Sequence, residues 1–175
     1  MTPESIAEEI RAARDDFHRL VDEATAVELR RGSDGTKWTN EQLLFHMLFG
    51  YLLVRNLLWL VRGFARLPRS WSRRFAAGLN RASRAFHVIN YLGSLGGARV
   101  LGPTGMQRAM DRATRSLTGT LMRSSEQQLA RGMHFPVGWD PYFRDYLTVA
   151  DVLHYATQHY QHHRRQLTLT NAQNR

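Results

Sequence analysis

The chain has 175 residues and no cysteine. That absence excludes disulfides, thiolate-ligated zinc and any thiol nucleophile of the protein's own, and it suits a reducing compartment. Lysine is nearly missing too, with Lys37 standing alone among many arginines. A bias that complete reads as a habit of the coding sequence rather than selection at each site, which lowers the weight of the high isoelectric point. Acidic residues are absent from one long stretch. Between Glu41 and Asp111 there is none, while ten arginines occur: Arg55, Arg62, Arg66, Arg69, Arg73, Arg74, Arg81, Arg84, Arg99 and Arg108. Charge of one sign over such a length attracts a membrane surface, nucleic acid or an acidic cofactor. Alternating apolar and polar runs with hairpin turns are absent as well, so an all-α fold is expected. The opening MTPESIAEEIRAARDD is acidic and polar where a signal peptide is basic and then apolar. A cytoplasmic location is therefore the expectation.

What is present is helical periodicity. The first pattern runs from Pro3 to Arg31, capped by Thr2, with Ile6, Ile10, Ala13, Phe17, Leu20 and Ala24 on one stripe. The second runs from Asn40 to about Gly63, opened by a Thr39/Gln42 capping box and a Trp38/Leu43 staple. The third, from about Thr104 to Arg131, turns Met106, Met110, Ala113, Leu117 and Leu121 inward and is closed by Gly132. The fourth, from Thr148 to Leu167, is capped by Thr148 with Asp151 three residues on. One domain over residues 1–175 is expected, an up-down-type four-helix bundle with a basic helical insertion at 65–102.

Histidine is placed unusually. In the fourth helix His159 and His163 fall on the apolar stripe of Val149, Val152, Leu153, Ala156, Tyr160 and Leu167, about 40° apart at 100° per residue. His154 and His162 fall towards the polar side. Two imidazoles at i, i+4 are the spacing by which one helix offers two ligands to one metal. In the second helix His46 shares an inward stripe with Gly50, Leu53 and Leu57. A single buried histidine is usually a core residue bonded to a carbonyl or water, but three inward imidazoles, each needing a partner, point to a metal. His162 reads as a group supporting that site or facing substrate at its rim. His18, His87, His134 and His154 have no matching partner and read as surface or structural residues.

The insertion reads as two shorter helices, RSWSRRFAAGLNRASR and AFHVINYLGSLGG, with arginines interleaved among Trp71, Phe75, Leu79 and Phe86. A four-helix bundle does not need it. It reads as a lid, a dimer contact or a basic arm for an anionic membrane, against the plainer reading of a solvated cationic face. Leu43 to Val61 is long enough to span a bilayer, yet His46, Arg55 and Asn56 interrupt it, and a buried core helix is the expectation. Before the last helix, Phe135, Trp139, Tyr142 and Phe143 either line a pocket mouth over the histidines or plug the end of the bundle.

Trp38-Thr39 with Glu41, Leu44 and His46, then Thr148-Val149-Ala150-Asp151, then His159, His162, His163, Arg164, Gln166 and Leu167 resemble the DinB/YfiT-like superfamily. The resemblance implies a four-helix bundle whose metal ligands would be His46, His159 and His163, with zinc, nickel or a similar divalent ion. It also implies one of two activities. Relatives include S-transferases and isomerases that use a thiol cofactor of the bacillithiol or mycothiol type, and others assigned as metal-dependent hydrolases. A cysteine-free protein that works on a thiol must borrow one, and insertion arginines would hold such a cofactor's carboxylates. No Asp or Glu stands beside the histidine pair as in HExxH proteases, so no built-in general base is visible. A small-molecule substrate and a homodimer are expected. A third reading makes the bundle a non-catalytic scaffold with the arginine-rich insertion as the working part. No recognition helix or stacking platform is present, so specific nucleic-acid binding is not expected.

Overall fold

Three of the five long helices open on a threonine that takes up otherwise free backbone amides. The computed structural model describes residues 2–170. Helix α1 (Pro3–Glu23) starts on Thr2 with Pro3 in its first turn. Helix α3 (Asn40–Phe64) starts on the Thr39/Gln42 capping box, and α7 (Val149–Arg164) on the Thr148/Asp151 box. Between them lie α2 (Ala26–Arg30), α4 (Arg69–Arg81), α5 (Ser83–Met122), α6 (Glu126–Leu129) and two short strands, β1 (Gly132–His134) and β2 (Tyr146–Thr148).

Helices α1, α3, α5 and α7 form the bundle, with α3 and α1 each packed against both α5 and α7. Their directions follow from side-chain pairs. Glu9 meets His154 and Asp16 meets Arg164, so α1 and α7 run together. Asp22 meets Gln107 and His18 meets Asp111, so α5 runs against α1. Tyr51 meets Thr157 and His46 meets His163, so α3 runs against α7. His46 meets Ser94 and Arg62 meets Ser124, so α3 and α5 run together. The order is up, down, down, up.

That order corrects the expectation that the bundle has no use for residues 65–102. Two successive parallel helices need a long crossover between them, and α4 with the first half of α5 supplies it. The crossover meets the bundle half of α5 at Gly102, whose φ of 59° only glycine adopts easily, and Pro103 restarts the helix. The bundle half of α5 therefore starts at Pro103, beside the expected start near Thr104, and the stretch from Ser83 to the kink is a separate helical run leading into it.

Other boundaries differ for local reasons. The first helix stops at Glu23 rather than Arg31, because Thr25 and Glu28 form a capping box that starts α2. The third stops at Met122 rather than Arg131, because Ser125 and Gln128 do the same for α6. Gly132, expected as a helix stop, lies in β1 opposite Thr148. A Cβ there would sit 2.2 Å from the carbonyl oxygen of Leu147. The strands, three residues each, are too short to show a period of two.

Helix α3 is long and apolar enough to cross a membrane, and 56% of its apolar window is buried inside the bundle. It is the core helix that its interrupting polar residues suggest. Of the four aromatic residues before α7, Phe135, Trp139 and Phe143 pack on Leu53, Leu57 and Leu60 of α3 and on Phe75 and Leu79 of α4, sealing that side. The Trp139 indole N–H donates to the Leu79 carbonyl. Tyr142 alone turns towards the histidines, its hydroxyl 3.3 Å from His162 Nδ1.

Candidate metal centre

The fold carries the histidine helix and the first turns of α3 to the same end of the bundle. There His46 Nε2 lies 3.1 Å from His163 Nε2 and 3.2 Å from His159 Nε2. One ligand atom from each of the three falls within 4.8 Å of the others. His46 and His159 are each 4% exposed, while His163 is half-buried and marks the open side.

The tautomers follow from the outer nitrogens. Ser94 has one hydroxyl proton, and it goes to the Asn90 carbonyl at 2.9 Å. Ser94 Oγ, 3.3 Å from His46 Nδ1, therefore accepts the His46 Nδ1–H. On the other helix Gln166 Oε1 can only accept, and it lies 2.7 Å from His163 Nδ1. Both rings thus carry their proton on the outside and turn an unprotonated Nε2 inward. Two lone pairs 3.1 Å apart repel unless something positive sits between them. A tetrahedral ion with bonds of 2.0–2.1 Å separates its nitrogen ligands by about 3.3 Å, close to the two distances from His46.

A proton is a poor alternative. Burial, and then the neighbouring His163 and His162, hold His46 down to about 3. Burial, with His46 and His163 behind it, pushes His159 well below its ordinary value. His163 is lowered as well, chiefly by burial, although its bond to Gln166 works the other way. Neutral imidazoles are what a divalent ion requires. The donor set fits a metal.

The surroundings hold the rings in place. His159 rests on Gly50, where a Cβ would stand 2.4 Å from its Nδ1. That nitrogen has no protein partner among the described residues. Trp38 stacks on His46 with ring centres 4.4 Å apart, and Tyr155 stands 5.7 Å from His159. Gln166 is fixed through its carbonyl, which accepts the Asp34 N–H at 2.8 Å. Buried Asn40 donates to Thr168 and to the Glu28 carbonyl, clamping the segment after α7 onto the loop before α3. On α7's far side Arg164 bonds Asp16 through Nε and Nη2, at 2.7 and 3.2 Å. Burial opposes ionisation of Asp16, but its bonds to Arg164, Tyr160 and Arg19 outweigh it and hold the carboxyl below its usual range.

His46, His159 and His163 therefore come together, and His162 stands at the rim beside Tyr142. The remaining histidines lie elsewhere: His18 pairs with Asp111, His154 with Glu9, His134 is buried against Asp145, and His87 is exposed on α5 beside Phe86. Ser94 was not legible as a site residue, because it sits in the supposed insertion. Its signal was a lone serine in the apolar YLGSLGG run. None of the insertion arginines contacts the triad in the described structure. The inner face of that helix instead offers Ser94, Tyr91 against Trp38, and Gly97 against Phe45.

An all-α bundle with three converging imidazoles at one end defines the class: a helical bundle with a histidine triad able to hold a divalent ion. The DinB superfamily model matches residues 9–167, and the chain belongs to that family. No curated protein and no solved structure gives a significant match.

Proposed function

We propose that this protein is a metal-dependent transferase that joins an external low-molecular-weight thiol, of the mycothiol or bacillithiol type, to a small electrophile at the triad. The observation that carries the metal is the convergence of three imidazole Nε2 atoms, two of them left as inward lone pairs by the bonds to Ser94 and Gln166. His46, His159 and His163 would hold the ion, and zinc and nickel both suit an all-imidazole set. Such an ion supplies a +2 charge with an open position, which lowers the pKa of a thiol or water brought to it.

The chain's own residues support a borrowed thiol. There is no cysteine to supply one. No carboxylate contacts the triad among the described residues, so a hydrolase would have no base for its water. One acid stands a tyrosine removed: Asp140 accepts the Tyr155 hydroxyl at 2.9 Å, and Tyr155 packs on His159. Trp38 and Tyr91 form an aromatic wall beside His46 that excludes water and suits an apolar electrophile. A reducing cytoplasm keeps such thiols available.

Metal content of the purified protein, beside His163→Ala, tests the site. About one divalent ion per chain, lost in the variant, is expected for a single three-ligand site. Turnover of model electrophiles that depends on added thiol then separates the transferase from a hydrolase. No metal after incubation with zinc and with nickel would end both readings.

A further inference from the structure

At the opposite end of the bundle, Arg62, Arg66, Arg123 and Arg131 line one cavity of about 420 Å³, with Ser124 on its wall and Trp59 at its edge. Arg62 lies sixteen residues beyond His46 on α3, about 24 Å along the helix axis, so this cavity is separate from the triad. The parallel run of α3 and α5 creates it. Their carboxyl ends meet there, as the bond from Arg62 Nη2 to Ser124 Oγ shows. Residues about sixty apart in sequence are thereby gathered, which a uniform arginine bias would not do.

The charge is unbalanced. No acidic residue lines the cavity. None of the four arginines takes part in an ion pair among the described residues. The carbonyl ends of α3 and α5 offset part of the charge on Arg62 and Arg123, but Arg66 and Arg131 lie beyond the helix ends. Like charges around one concavity repel each other and concentrate counter-ions there. Guanidinium forks match the paired oxygens of phosphates and carboxylates. Trp59 is 76% exposed, unusual for an indole, and offers a flat face to whatever the anion carries.

We infer that this cavity is a binding site for a small, multiply charged oxyanion, a phosphate compound or a polycarboxylate, held by Arg62, Arg66, Arg123 and Arg131. The site is independent of the triad and does not rest on the transferase reading.

Calorimetric titration of the full chain with sodium pyrophosphate and, separately, with citrate tests it and distinguishes the two chemistries. Saturable binding of at least one of them is expected. The pair Arg62→Gln and Arg123→Gln should weaken it by about tenfold or more, while Arg74→Gln with Arg81→Gln, which removes the same charge from α4, should change it by less than about twofold. Should the first pair lower the melting temperature, Arg66→Gln with Arg131→Gln, both exposed, carries the same test. Metal content should be unchanged in all variants. Failure of both anions to bind, or equal weakening by the α4 pair, overturns the inference.

Discussion

Gly50 is the position where one added methyl group should abolish the metal site while leaving the bundle intact. Its ideal Cβ would lie 2.4 Å from His159 Nδ1, 3.0 Å from Cε1 and 3.2 Å from Cγ. Ordinary contact needs roughly 3.5 Å, so the ring must retreat by about 1 Å. It has little room, since His159 is 4% exposed and already faces Tyr155 and His46. Ligand distances tolerate about 0.2 Å, so His159 leaves the coordination sphere. The cost to the fold is small by comparison. Overpacking costs about 1–3 kcal/mol, and alanine in place of glycine inside a helix returns about 1 kcal/mol. The net loss for the metal-free protein is therefore about 0–2 kcal/mol. Thermal melts with and without zinc separate these effects. With zinc at about a hundred times its dissociation constant, the native protein should gain about 2.7 kcal/mol, and Gly50→Ala almost none. Gly78→Ala, which adds a methyl to open space on α4, should respond to zinc like the native chain. A Gly50→Ala protein that still binds one equivalent with the native zinc response would refute the placement of His159.

Three further outcomes follow from the same geometry. Because the folded protein holds His46 at about 3 against 6.5 for a free imidazole, the unfolded chain binds the extra proton below 6.5. Stability of the metal-free protein should therefore fall as pH drops, by about 2 kcal/mol at pH 5 from this residue alone, and equal urea midpoints at pH 7 and pH 5 would contradict it. Ser94→Ala removes the acceptor that fixes the His46 tautomer, so zinc affinity should drop by about tenfold or more with little change in melting temperature. A competition titration reads this directly, and an unchanged affinity would mean that Ser94 does not orient the ring. Asp16→Asn breaks the fork to Arg164 in a partly buried setting, and should destabilise the protein by about 1–3 kcal/mol in denaturant titrations at pH 7 without changing metal stoichiometry. The Asp16 carboxyl is held below its unfolded range of about 3.8, so its contribution is present above that pH and is lost on further acidification.

The histidines were legible because burial leaves a pattern. His46, His159 and His163 occupy places where a 100° period calls for leucine, and the core puts them there. The capping boxes at Thr39 and Thr148 were legible for a similar reason, since local chemistry alone fixes them. The breaks at Thr25 and Ser125 rest on the same chemistry, but the apolar stripe continues through them and hides the stop. The strands and Ser94 depend on contacts between distant segments, which periodicity does not record. The direction of α5 belongs with them. Nothing in residues 65–102 announces a crossover, because a surface helix with arginines and scattered apolar side chains reads alike whether it bridges two parallel helices or hangs off a loop.

The crossover is what joins topology to chemistry here. An up-down-up-down bundle could connect α3 to its successor by a short turn at the far end, and no extra helix would reach the triad. Making α3 and α5 parallel forces the chain back to the histidine end before the third bundle helix begins. On the way it lays Ser94 against His46, Tyr91 against Trp38, and Gly97 against Phe45, where a Cβ would overlap the ring at 2.0 Å. The same parallel arrangement brings the carboxyl ends of α3 and α5 together, gathering four arginines around one cavity. One connectivity choice thus shapes both ends of the molecule. Substitutions in the crossover should therefore affect metal binding through Ser94 and Gly97, while its exposed arginines can be changed without affecting it.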